Sequence, residues 1–206
     1  MIAEAFEHHM QILTRLLPDE RHRRMSAFHQ VVSARYRYGV GAMTAFEAAQ
    51  ISSDGRTRAL VVGHVMGWER FFLQSAGELL TGVKKPRMFG LTGYLEPDGQ
   101  LLDFKTVDEF NAYQAEKQAG LPWERIQSAA LQTSAALLVM FTHPDLLSPG
   151  VLEAARPTVW RLPSGEQIPT TYGWRLWKTV LEHEGFEHGH DLGLVDMLDI
   201  LEKEIL

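Results

Sequence analysis

The stretch Leu60-Val61-Val62-Gly63-His64-Val65-Met66-Gly67-Trp68-Glu69 decides the fold, because it sets a histidine into an apolar helical face. At about 100° per residue, Leu60, His64, Trp68, Phe71, Ser75 and Leu79 share one side of a helix predicted over about 57–81. Ser52-Ser53-Asp54-Gly55 just ahead of it is a turn with good N-cap chemistry. The imidazole of His64 therefore points into whatever this helix packs against.

Upstream, Phe28, Val31, Val32, Tyr36, Val40, Met43 and Ala49 stripe a second helix over about 26–50. Gly39 and Gly41 weaken it and mark a kink or a close packing contact. Before that, Phe6, Met10, Leu13 and Leu17 recur at helical spacing over about 3–17, and Pro18-Asp19 is expected to end that helix. Downstream, residues 82–106 are rich in Gly and Pro and read as a long excursion, with a short hairpin around Pro97-Asp98-Gly99. A short helix follows from Thr106 to about Ala119, capped by Thr106 or Asp108 and broken by Gly120-Leu121-Pro122.

Trp123 to Phe141 is an Ala-rich helix carrying Ile126, Leu131, Leu137, Leu138 and Met140, ended by His143-Pro144-Asp145. Residues 144–170 hold five of the nine prolines and form a second excursion, and a last helix is predicted over about 171–204. Trp174 and Trp177 at its start are assigned to the core. No internal repeat is present. Four long helices with two long connections predict an all-α, four-helix bundle. It forms a single domain over residues 1–206, with an extra N-terminal helix in a 1–24 extension and long inter-helix loops. Strand signals are too sparse for a central sheet.

Composition narrows the function. With 45% hydrophobic and 22% charged residues the chain can bury a core. A net charge of -6 argues against a nucleic-acid partner, which would need a basic face to displace counterions. The one basic run, Arg21-His22-Arg23-Arg24, reads as a solvated helix end or loop. There is no cysteine, so a disulfide scaffold, a thiolate metal site and a Cys nucleophile are excluded. No apolar run approaches the roughly 20 residues of a membrane span, and no secretory signal is visible. The expected compartment is the cytoplasm, with no membrane partner.

The last helix carries the densest chemistry, Leu181-Glu182-His183-Glu184-Gly185-Phe186-Glu187-His188-Gly189-His190-Asp191. On an α-helix His183, Glu187 and His190 form one face, and Glu184, His188 and Asp191 form its neighbour. Either offers a His and a carboxylate one turn apart, a spacing that suits two ligands on one cation. The third ligand must come from another helix, and His64 is the candidate. A lone His on an apolar face is more often a bonded core residue, and the 183–190 cluster taken alone could be a solvated face. Together they support each other, because buried polar groups need partners. His143 and the His8-His9 pair are the remaining histidine candidates.

The stretch Leu60 to Glu69 resembles the first signature of the DinB-like, or YfiT-like, superfamily, in which an inward His is followed four residues later by an aromatic and then an acid. Phe110-Asn111-Ala112 with Leu121-Pro122-Trp123-Glu124 resembles a connector recurrent in these proteins, and Leu181 to His190 resembles their closing His-Glu-x-x-His-Arg-Gly-Gln motif. The resemblance runs from about residue 25 to the C-terminus. It implies a bundle, often a homodimer, with three ligands on a divalent ion.

Laid on without gaps, the closing motif matches His183, Glu184 and Gly189 but puts Glu187 at its second His, with His188 and His190 replacing Arg and Gln. The superfamily's mycothiol-dependent maleylpyruvate isomerase-like members carry a Glu-x-x-x-His pair, which fits Glu184 and His188 with Gly189, Asp191 and Leu192 equally well. The preferred ligand set is His64, His183 and Glu187. Its face continues as a buried stripe through Leu176 and Val180 behind and Leu194, Leu198 and Leu201 ahead. The alternative register uses Glu184 and His188.

Imidazole and carboxylate ligands suit one Zn, Ni, Fe or Mn ion. The implied activity is metal-assisted attack by a low-molecular-weight thiol or water on a small electrophile, as a thiol-dependent S-transferase or a hydrolase. Glu184 is the expected catalytic base. The rival is a non-catalytic, stress-associated bundle protein in which the ion only stiffens the fold.

Overall fold

The computed structural model describes residues 2–52, 55–162, 165–189 and 191–193. Helix α1 spans Ile2–Thr14 and α2 spans Pro18–Ala42. Pro18 does not end α1 but opens α2: it occupies the first turn after the cap Leu17, where its missing N–H costs nothing. The expected 1–24 extension therefore shrinks to α1 alone, which still buries Phe6, Met10 and Leu13 in the core. Helix α2 ends at Ala42. Met43 is extended, and a capping box between Thr44 and Glu47 starts the short α3, Ala45–Ala48, so the helix expected to run to residue 50 is two helices.

Helix α4, Arg58–Leu80, begins where the Thr57 hydroxyl accepts from the Leu60 N–H. A 3₁₀ turn, Arg87–Gly90, leads to a small hairpin of β1, Tyr94–Leu95, and β2, Leu101–Leu102. Helix α5 covers Val107–Gln118, capped by Thr106, and α6 covers Trp123–Thr142. After α7, Pro149–Glu153, comes a second antiparallel hairpin of β3, Pro157–Arg161, and β4, Gln167–Thr171. Sequence reading gave this hairpin as irregular chain because Pro157 and Pro169 lie in it. In a two-stranded ribbon both strands are edges, so a missing N–H on the outer side leaves the ladder intact. Helix α8, Tyr172–Leu181, is capped by the Thr171 hydroxyl. It passes directly into a π-helical turn, Glu182–Glu187.

The fold is mostly helical, and the described residues form no central sheet, only the two hairpins. Helix α4 packs on α6 and α8, α6 packs on α2, and the π-turn packs on α2 and α1. Their shared core holds Phe28, Tyr36, Phe71, Leu137, Phe141 and Trp177, all essentially inaccessible to solvent. Helix α5 lies across the outside of α4, where Gly63 and Gly67 let it approach closely. Gln118 Nε2 donates to the Gly63 carbonyl at 2.6 Å, and Asn111 Oδ1 accepts from Trp68 Nε1 at 2.9 Å. This polar strap holds the segment that carries His64. Among the described residues no helix is long and apolar enough to cross a membrane.

The continuous last helix predicted to residue 204 is interrupted at Glu182–Glu187. His190, Leu194, Leu198 and Leu201, which extended its expected metal-binding face, lie outside the described residues.

Candidate metal centre

Three imidazoles meet between α4 and the π-turn. The ring centroids of His64 and His183 are 5.1 Å apart, those of His64 and His188 4.8 Å, and those of His183 and His188 5.0 Å. Each offers one nitrogen, and the three nitrogens lie within 4.8 Å of one another. Nε2 of His183 and both nitrogens of His188 are buried with no hydrogen-bond partner. Such groups cost free energy unless something is bound to them. A divalent ion, bound by imidazole nitrogens at the usual Zn–N distance of about 2.0–2.1 Å, would give these groups a partner.

Electrostatics favour the ligating form. Burial holds the His64 imidazolium down to a pKa of about 3, with His183 and His188 adding to the effect. Burial, and then His183, also lowers His188. Neutral imidazole is the form that binds a metal.

A second layer orients the rings. Glu187 Oε2 lies 2.7 Å from His183 Nδ1, which fixes that ring so that Nε2 faces the cluster. This bond draws the Glu187 pKa down to about 2 against the opposing effect of burial. Asp191 Oδ2 stands 3.7 Å from His188 Nδ1, so both rings present a carboxylate on one side and a bare nitrogen on the other. Trp68 and Phe72 flank His183 with ring centroids at 6.0 and 5.8 Å and wall the cluster from the core. His64 is only half-buried.

The π-turn is what brings His183 and His188 together. On an α-helix two residues five apart point about 140° away from each other. The i→i+5 pattern of a π-turn sets them on one side. Both end up buried, whereas the Glu187 side chain is 54% exposed and braces His183 from outside. Of the preferred set, His64 and His183 converge while Glu187 stands behind His183. Of the alternative pair, His188 joins them and Glu184 turns away into the core.

Comparison by sequence finds neither a matching family model nor a matching curated protein. Among solved structures, the mycothiol-dependent maleylpyruvate isomerase is similar at a TM-score of 0.57 and 16% identity, over 94% of this chain and 69% of that one. A histidine-to-alanine mutant of the same enzyme is similar at a TM-score of 0.59 and 14% identity, with the same coverage. This chain has the fold of that isomerase. The likeness agrees with the resemblance drawn from the short motifs at Leu60–Glu69 and Leu181–His190.

In this isomerase fold Glu184 is fully buried, bonded to Ser134 Oγ at 2.6 Å and to His29 Nε2 at 3.2 Å. Glu69, the acid that closes the first motif, is buried beside it, and neither of its oxygens has a hydrogen-bond partner. Burial, and then the neighbouring Glu184, push Glu69 far above the usual carboxylate range.

Sequence reading missed this network. Its signal was present in α2, where His29, Ser33 and Tyr36 repeat at i, i+4 and i+7 beside the apolar stripe. Of the other histidines, His9 packs its ring 4.7 Å from Phe28, and His143 is half-exposed near Asp145. Neither approaches the cluster.

Proposed function

We propose that this chain is a divalent-metal-dependent enzyme of the DinB-like type, a four-helix bundle that activates a low-molecular-weight thiol toward a small electrophile. The observation that carries the reading is the convergence of His64, His183 and His188, whose ligand nitrogens all lie within 4.8 Å of one another. Three histidines suit Zn, and also Ni, Fe or Mn, and leave a coordination position open beside half-buried His64. The bound ion would lower the pKa of a thiol or water and supply it as a nucleophile at neutral pH.

The chain's own groups divide the remaining work. Glu187 holds the tautomer of His183. Glu187 Oε1, 4.0 Å from His188 Nε2, is the exposed acceptor that orients an incoming thiol. Trp68 and Phe72 keep water from the inner side. Glu184, expected as the base, has no solvent path to a substrate and is assigned no proton transfer here. Thiol transfer is preferred to hydrolysis because the solved structures of the same fold are those of an enzyme named for its dependence on mycothiol.

The burial of His183 and His188 favours a second reading, in which the ion only stiffens the fold. One assay separates the two. Zinc-loaded protein is mixed with mycothiol and maleylpyruvate, then with other thiols and small electrophiles, and thiol-dependent product is followed. The enzyme reading expects turnover that disappears in His64→Ala. Stoichiometric metal with no turnover for any pair would leave the structural role.

A further inference from the structure

Glu184 follows His183 in the chain but faces the other way, and it is held by groups from two other helices. Oε1 accepts the Ser134 hydroxyl of α6, and Oε2 faces His29 Nε2 of α2. The direction of each bond is fixed. Trp177 Nε1 is a donor only and reaches His29 Nδ1 at 3.1 Å, so His29 carries its proton on Nε2 and donates it to Glu184. Ser134 gives its hydrogen to Glu184, so Ser33 Oγ, 3.1 Å away, is the donor to Ser134. A fully buried carboxylate is stable only where several donors meet it, and these donors do.

The residue so gripped lies inside Glu182–Glu187, the π-turn that lets His183 and His188 face one point. A π-turn is rare and inserts a residue into regular helix, so it persists only where its surroundings hold it. Gly185 and Phe186, its other buried members beside His183, have no polar side chain. Glu184 is the one side chain of the turn bonded across to α2 and α6. We propose that Glu184 is a positioning residue: clamped by His29 and Ser134, it holds the π-turn that aims His183 and His188 at the same ion. The proposal rests on the three-histidine reading above.

The test reads Co²⁺ affinity by competition titration and the visible Co²⁺ spectrum in Ser134→Ala, Glu184→Gln and Glu184→Ala. His64→Ala serves as the control on the site itself, and a thermal melt of each apo protein checks folding. Removing partners that orient metal ligands costs about 10–100-fold in affinity. Ser134→Ala is expected near the low end with a shifted ligand-field band, and Glu184→Ala near the high end. Glu184→Gln, which keeps one acceptor oxygen, is expected between them as a partial rescue.

If Glu184→Ala fails to fold, the other two variants decide. Wild-type affinity and spectrum in folded Ser134→Ala and Glu184→Gln, with binding abolished in His64→Ala, would overturn the clamp and leave the metal site standing. Loss of binding in Glu184→Gln with no change in Ser134→Ala would make Glu184 a ligand and also overturn it. Undiminished binding in His64→Ala would overturn the site and the clamp together.

Discussion

Adding one methyl group to Gly63 should reverse the usual effect of a helical glycine-to-alanine change. In an open helix interior that substitution gains about 0.8–1.0 kcal/mol. At Gly63 the new Cβ would overlap Gln118 Oε1 and lie 2.5 Å from Gln118 Cδ. Gln118 is 3% exposed and cannot swing into solvent without opening the packing of α5 on α4. Its displacement breaks the 2.6 Å bond to the Gly63 carbonyl, worth about 0.5–1.5 kcal/mol, and overpacking adds about 1–3 kcal/mol. Set against the helical gain, the net loss is about 2 kcal/mol, or about 4–8 °C in Tm for a chain of this size. Gly77, in the same helix, is the control, since a Cβ there meets nothing within 4 Å. Gly77→Ala should therefore raise Tm by about 2–4 °C. Thermal and urea melts of both variants read the difference. Gly63→Ala as stable as Gly77→Ala would refute the close approach of α5 to α4 on which the placement of His64 depends.

Two further changes test the interior. Burial, followed by the charges of Arg24 and His8, holds the His9 pKa at about 4 against an ordinary 6.5, so the folded state prefers the neutral ring. The stability this gives is complete above pH 6.5 and falls by about 3 kcal/mol as pH drops to 4, because the unfolded chain takes up the proton first. His9→Met should then gain about that much on wild type between pH 7 and pH 4 in urea melts, and parallel pH curves would contradict the assignment. The Tyr36 hydroxyl is buried with no partner, so Tyr36→Phe should stabilise by about 1 kcal/mol. A comparable loss would show that the hydroxyl is bonded.

Much of the fold was legible because it follows from periodicity. The stripes through Phe28, Val32 and Tyr36, through Trp68, Phe71 and Leu79, and through Ile126 and Leu137 bury as their spacing requires. Boundaries failed where one residue has two meanings, as at Pro18, which can stop one helix or start the next. The β3–β4 hairpin was hidden because a proline that excludes a central strand is harmless in a two-stranded ribbon. At the site, His64 was legible as a polar residue on an apolar face. The two competing registers of the last helix came from assuming 3.6 residues per turn through Gly185. With the π-turn in place, one histidine from each register, His183 and His188, reaches the same point. Nothing in a 100° wheel can show this, since the turn is held by His29 and Ser134, which are 155 and 50 residues away from Glu184 in sequence.

The central claim is that His64, His183 and His188 hold one divalent ion. The direct measurement is zinc bound per chain after equilibrium dialysis of wild type, His183→Ala, His188→Ala and Glu187→Ala, prepared without a nickel column. The account predicts one ion per chain in wild type and a sharp loss in both histidine variants. Glu187→Ala should keep the ion with affinity reduced about 10–100-fold, as for a residue that orients a ligand. One ion per chain at wild-type affinity in His188→Ala would contradict it.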